Sequence, residues 1–331
     1  MATFVMKRFA STHWVWSIGG QILTRGLAGV KFFFLAKILG PEGLGAIAAF
    51  LLLIAIFEAL SDSGILSAVV HSANSMDESQ KFMVLIANLS RGIFLLVLAI
   101  LSRDFVFDYF KGALSLNIIN LLGAIFVIKA FINPAYYLMH RHRQFRTIFL
   151  IDGSYVFLDF VLSIFLLFQT KDILYVIFSL MISEFFKCVF SWVILDHRLK
   201  LCWNLSGVKS LYSYGRWVWA GSFFTFGLNQ LDKILVAKYF GLELFGIYQF
   251  SSKLTQMAIA DLFTTLTSYI FPVLAAANRV GISDLKSKLK KWVKIYLIGL
   301  VFISCAFQLM ISSFIDIFFG GKWSESLDLI E

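Results

Sequence analysis

The chain has 331 residues, 59% of them hydrophobic and only 15% charged, with a mean hydropathy of +0.82 and a formal charge of +9. A soluble domain averages about 45–50% apolar and about 25% charged residues, so this composition excludes an ordinary water-soluble globule and predicts a chain that lives in a bilayer. The excess of base does not make a nucleic-acid surface, because Lys and Arg are dispersed in short segments between apolar runs.

A membrane-crossing helix needs about 20 mostly apolar residues. Nine stretches qualify, at roughly 14–37, 43–63, 82–102, 113–137, 147–169, 173–195, 212–239, 244–271 and 291–318. Lys7 and Arg8 precede the first, but it runs on to Leu39 and carries Arg25 and Lys31, so it reads as a span and not as a cleavable signal peptide. The runs are too long, and too free of alternation, for barrel strands. With the N-terminus in the cytoplasm, the cytoplasmic segments hold Lys7, Arg8, Lys81, Arg141, Arg143, Arg146, Arg198, Lys200, Lys209, Arg216, Arg279, Lys286, Lys288, Lys290, Lys291 and Lys294. The opposite side holds Lys37, Arg103, Lys111, Lys171, Lys238 and Lys322. That imbalance is the positive-inside rule.

The chain also repeats itself 201 positions downstream without a gap. Trp16, Gly20, Thr24, Gly26 and Leu27 fall on Trp217, Gly221, Thr225, Gly227 and Leu228; Ala36, Lys37, Gly40, Glu42 and Gly45 fall on Ala237, Lys238, Gly241, Glu243 and Gly246. Span one therefore matches span seven, and six helices make one repeat. An even number returns the chain to its starting side, so the halves are expected to be parallel repeats about an axis along the membrane normal, with a substrate site between them. The expected architecture is an all-α polytopic membrane protein with two six-helix repeats, about nine helices being present. Residues 1–195 form the first lobe, 196–211 a cytoplasmic linker, and 212–331 an incomplete second lobe. Residues 319–331 read as the entrance to a tenth helix, as in a C-terminally truncated chain.

The segment Phe34-Leu35-Ala36-Lys37-Ile38-Leu39-Gly40-Pro41-Glu42-Gly43-Leu44-Gly45 resembles a turn of the Wzx-type polysaccharide and O-antigen flippases of the MOP superfamily. Asn229-Gln230-Leu231-Asp232-Lys233, followed by Tyr239-Phe240-Gly241-Leu242-Glu243-Leu244-Phe245-Gly246-Ile247-Tyr248, is similar to the same family's motif between spans seven and eight. Pro272 and the Gly320–Trp323 stretch match further landmarks. The resemblance covers nearly the whole chain; family members have twelve or more spans, and the missing helices are the main departure. It implies a flippase of the bacterial inner membrane that translocates a polyprenyl-diphosphate-linked oligosaccharide and works beside a polysaccharide polymerase and glycosyltransferases.

Seven bases fall within spans: Arg25, Lys31, Arg91, Lys129, Lys187, Lys233 and Lys253. Acids within or at the edge of spans include Glu58, Asp62, Asp152, Asp159, Glu184, Asp232 and Asp261. Each costs about 2.5–3.5 kcal/mol at a helix centre, so they are expected to face a wet cavity, pair, or sit near an interface. Ser17, Gln21, Thr24 and Arg25 share one face of span one; Ser222, Thr225, Asn229, Asp232 and Lys233 share one of span seven; Asp152, Tyr155, Asp159 and Ser163 share one of span five. Span eight offers Tyr248, Ser251 or Ser252, and Thr255. The expected substrate contacts are Arg25, whose guanidinium matches phosphate oxygens, with Gln21, Thr24, Ser222, Thr225, Asn229, Asp232, Lys233 and Lys129. Asp152, Asp159 and Asp261 are candidates for the coupling proton. Glu184 and Lys187, three apart, are expected to pair along their own helix. Lys31 and Lys253 read equally as snorkelling residues, and Asp232 with Lys233 equally as an inter-helix lock.

Cys188, Cys202 and Cys305 have no disulfide or metal spacing, nor do the five histidines, and no cofactor or metal is expected. Gly321-Lys322 is followed by Trp323 where a phosphate-binding loop needs Ser or Thr. Two other functions fit less well. A multidrug or cation antiporter needs an acidic cavity, whereas span one carries two bases and no acid. A polytopic glycosyltransferase or polymerase resembles its kind in large outer loops, and the longest here is about residues 103–112.

Overall fold

The computed structural model describes residues 19–61, 64, 78–110, 112, 114–142, 144–195 and 205–260, scattered positions between 263 and 277, and 281–329; at 79, 205–218 and 328 it describes the backbone alone. Among these residues there is no strand. The helices in chain order are α1 (Gly20–Ser61), α2 (Glu78–Leu101), α3 (Arg103–Tyr109), α4 (Leu116–Ala130), α5 (Ala135–Arg141), α6 (Phe145–Thr170), α7 (Ile173–Ile194), α8 (Leu205–Thr255), α9 (Ile282–Phe318) and α10 (Glu325–Asp328). Five of them, α1, α2 from Gln80, α6, α7 and α9, are each long and apolar enough to cross a bilayer, and the bent pair α4 and α5 makes a sixth. The molecule is an all-α, multi-pass membrane protein: within hydrocarbon a helix satisfies every backbone polar group internally.

Two helices are double-length, and each breaks at a glycine. α1 turns at Gly40 (φ 71°, ψ −172°) and α8 at Gly241 (φ 83°, ψ 178°), at equivalent positions of the repeat. A residue with a Cβ is strained at such φ values, so glycine ends one arm and lets the next begin. Pro41 then opens the second arm of α1, where no N–H is required. The arms of α1, 20–39 and 41–61, correspond to spans one and two; the arms of α8, 205–240 and 242–255, cover the expected spans seven and eight, but α8 is not among the helices apolar enough by itself to cross a bilayer.

The two turns also meet each other. A Cβ added at Gly45 would land on the carbonyl oxygen of Leu242, and one added at Gly246 would land on that of Pro41. Positions 45 and 246, like 41 and 242, are equivalent under the repeat, so the contact is reciprocal, as across a twofold axis. Ala36 and its equivalent Ala237 are both buried. Thr24 and Thr225 each donate a hydrogen bond one turn back, to the carbonyls of Gly20 and Gly221, both at 2.9 Å.

Apolar helices gain little from leaving lipid for each other, so close backbone approach does much of the packing. A methyl on Gly92 would come within 2.6 Å of the Ala130 side chain, which places α2 directly against α4. Aromatic packing ties α8 to the residues after α9: the Phe250 ring lies 4.2 Å from that of Trp323, tilted, and 4.9 Å from that of Phe319, edge-on. Such ring pairs add about 0.5–1.5 kcal/mol each beyond their buried area.

Three spans depart from the simple rods expected. The fourth, expected as one helix over 113–137, bends by 69° between α4 and α5. Pro134 has no N–H to extend α4, and Asn133 caps the new helix by accepting from the amide of Ala135 at 2.9 Å. The eighth passes into a π-helical turn at Gln256–Ala260. The ninth begins at Ile282, earlier than the expected 291, because Lys is a good helix former and Asp284 pairs with Lys288 at 2.8 Å one turn on. α8 begins at Leu205, inside the expected linker, whose residues 196–204 lie outside the described ones.

Candidate functional site

Between the two arms of α1, α6, α7 and α8 lies a cavity of about 480 Å³. Its walls are largely apolar, but Lys31, Tyr155, Asp159, Gln230, Lys233, Gln249, Lys253 and Gln256 also line it. Helical spacing brings them together: Tyr155 and Asp159 are one turn apart on α6, and Gln249, Lys253 and Gln256 follow i, i+4, i+7. Three ammonium groups against one carboxylate leave the cavity positive.

The four charges are held differently. Lys31 Nζ lies 2.6 Å from Asp159 Oδ2, with both side chains about seven-eighths buried. The other oxygen, Oδ1, accepts from the hydroxyls of Ser163 at 3.3 Å and Ser179 at 3.4 Å. Lys253 donates to Gln256 Oε1 at 3.4 Å. Lys233 makes no ion pair among the described residues.

Contacts between the halves flank the cavity toward both ends. At the end marked by Gly40 and Gly241, Tyr109 of α3 donates to the carbonyl of Ile234 at 2.9 Å, with Lys238 Nζ 5.5 Å from its ring. At the opposite end the Trp219 indole N–H is shared between the carbonyls of Ala59 and Leu60, at 3.1 and 3.2 Å. At the level of the cavity itself, a methyl on Gly29 would come within 2.6 Å of the tip of Met257, next to the lining residues Ala28 and Gln256.

Two other charge clusters lie inside the first half. Lys129 Nζ is 2.8 Å from Glu58 and 3.7 Å from Glu184. Arg91 donates to Ser61 Oγ at 2.9 Å and to the Glu58 carbonyl at 3.2 Å. A void of only about 60 Å³ adjoins this cluster. Farther along, Lys187 pairs with Asp152 at 2.8 Å and lies 5.4 Å from the rings of Tyr136 and Tyr155. The Tyr136 hydroxyl donates to the same carboxylate at 2.7 Å. Glu184 and Lys187 therefore do not pair with each other as expected. Each meets a counter-charge from a neighbouring helix, which outweighs an i, i+3 pair worth a few tenths of a kcal/mol.

Of the residues singled out by sequence, Lys233 and Asp159 line the cavity. Gln21 and Arg25 are exposed and Thr24 half-buried, and none of the three lines it. Ser222, Thr225, Asn229 and Asp232 lie on an adjacent face of α8. There Thr225 and Asn229 bond their own helix backbone, at 2.9 and 2.8 Å, and Asp232 accepts from Tyr248. Lys129 and Asp152 sit in the other clusters, and Asp261 lies outside the described residues. Lys31, Lys253, Gln230, Gln249 and Gln256 line the cavity without being among the substrate contacts expected from sequence. Continuing the Gln21 and Thr24 stripe by one and two turns reaches Ala28 and Lys31, both of which line the cavity.

The family described as polysaccharide biosynthesis protein matches residues 34–328. The chain is similar to the lipopolysaccharide biosynthesis protein WzxC of Escherichia coli (strain K12), with 22% identity over 323 residues, covering 96% of this chain and 64% of that protein. It is also similar to the teichuronic acid biosynthesis protein TuaB of Bacillus subtilis (strain 168), with 22% identity over 251 residues, covering 73% of this chain and 50% of that protein. The chain thus spans between half and two thirds of the length of these curated relatives. No solved structure matches it significantly.

Proposed function

The chain belongs to the polysaccharide biosynthesis protein family, and on that premise we propose that it is the translocating part of a flippase for a polyprenyl-diphosphate-linked oligosaccharide. The observation that carries this reading is the positive, amide-lined cavity between the repeated arms of α1 and α8. A polyprenyl tail is at home in lipid, but sugar hydroxyls and a diphosphate cannot cross hydrocarbon unaided. Lys233 and Lys253 supply positive charge for the phosphates; Gln230, Gln249, Gln256 and Tyr155 supply adaptable hydrogen bonds for the sugars. Gln21 and Thr24 continue the Lys31 face toward the start of α1 and meet the glycan as it passes.

Movement comes from the two lobes, 1–195 and 212–331, rocking about the contact of their outer turns to expose the cavity to alternate sides. The protein sits in the bacterial inner membrane with its N-terminus and basic segments in the cytoplasm. There it receives its cargo from glycosyltransferases and delivers it to a polymerase. It transports and performs no covalent step. A cation antiporter is disfavoured by the same three lysines, which repel a cationic cargo. The test is the variant carrying Lys31→Gln, Lys233→Gln and Lys253→Gln in cells that depend on the protein. Surface glycan is expected to disappear at matched membrane levels; undiminished glycan refutes the assignment.

A further inference from the structure

We infer that Asp159 is a resident counter-anion: it holds the Lys31 ammonium while the cavity is empty and yields it to the phosphoryl group of the incoming substrate. This rests on the reading of the cavity as an anion site, and it adds how that site selects its ligand.

Position comes first. Both members of the pair line the cavity, yet their side chains are only 13% and 12% exposed, so the charges lie in a ligand's path and are poorly screened by water. The company each lysine keeps comes second. Lys129 is held by two carboxylates, and Lys187 by a carboxylate and two tyrosine rings; neither lines the cavity. Lys31 meets one carboxylate, at the end of a four-carbon stem that can swing. The third point is what remains after the swing. Ser163 and Ser179 are fully buried and bond Asp159 through the oxygen that Lys31 does not use. With Lys31 gone, the carboxylate keeps hydroxyl donation from the Ser163–Ser179 pair, whose two hydroxyls also lie 2.5 Å from each other, and is not stranded in low dielectric. The pair is built to exchange partners.

Exchange sets a threshold. A carboxylate monoanion offers Lys31 nothing that Asp159 does not already provide. A diphosphate esterified at both ends carries one charge on each phosphoryl group, so as a unit it brings about twice the charge of a carboxylate, together with several strong acceptor oxygens. The cavity therefore selects phosphorylated ligands over sugars that carry only a carboxylate. The returning carboxylate also competes for Lys31 at release.

The test uses the full chain in detergent, with inorganic pyrophosphate and glucuronate as probes and calorimetric titration as the readout. In the unaltered chain pyrophosphate is expected to bind at least about tenfold more tightly than glucuronate. Asp159→Asn should tighten pyrophosphate binding by about tenfold and admit glucuronate, and the double variant Lys31→Gln with Asp159→Asn should lose that gain. Folded Asp159→Asn that binds pyrophosphate no more tightly overturns the inference. So does equal binding of the two probes to the unaltered chain, a measurement that needs no variant to fold. Pyrophosphate binding weakened by Lys233→Gln but indifferent to Asp159→Asn removes the counter-anion and leaves the anion site standing. No pyrophosphate binding by any form removes both.

Discussion

Lys31 and Lys129 are both lysines inside the bilayer within bonding distance of a carboxylate, yet the molecule uses them differently. Lys129 sits among Glu58, Glu184 and Arg91 beside a void of about 60 Å³. Lys31 has a single carboxylate partner on the wall of a cavity about eight times larger, of about 480 Å³. Each charge is costly in hydrocarbon, and each is neutralised. The number of partners, and whether a ligand can reach them, decides whether the neutralisation is a lock or an invitation.

Lys31→Gln tests the second role most severely. It should cut translocation by about a hundredfold, the scale of a lost charge-assisted contact to phosphate, measured as surface glycan at equal protein level. Lys129→Ala tests the lock. It should lower unfolding stability by about 2 kcal/mol, less than a fully buried pair because Glu58 is 39% and Lys129 31% exposed. Replacing the trio together, Lys129→Met with Glu58→Gln and Glu184→Gln, should restore most of the melting temperature and leave transport intact. Transport lost in a well-folded trio variant would move this cluster from structure to mechanism. Lys233→Gln should weaken pyrophosphate binding by about tenfold with no change in melting temperature, as Lys233 supplies charge to the cavity and closes no ion pair among the described residues. Arg25→Ala should change translocation by less than about twofold, because Arg25 does not line the cavity. A hundredfold loss there would restore the guanidinium to the substrate path.

The same contrast explains what could be read from the sequence. The spans and the 201-residue repeat are written in local apolar length and in single glycines, and the breaks at Gly40 and Gly241 follow from them. Of the stripe expected on α6, Tyr155 and Asp159 line the cavity, whereas Asp152 pairs with Lys187 and Ser163 is buried. On α8 only Lys233 of the expected face lines the cavity, joined by Gln230, while Asn229 and Asp232 lie to one side. A helix's rotation is fixed by its neighbours and not by its own polarity. Partnerships were the least legible. Lys31 and Asp159 are 128 positions apart. Nothing in either helix announces the other, and the nearer option of Glu184 with Lys187 was false.

The reciprocal fit of Gly45 over Leu242 and Gly246 over Pro41 binds the history of the two halves together. Where two main chains touch with a lone hydrogen between them, no rotamer can absorb a change. A single methyl acquired on one side must be answered by retreat of the opposite backbone. Although the two halves carry the same pattern 201 residues apart, neither is at liberty to depart from it at this spot, and a graft that exchanged one turn without its counterpart would have to reopen both.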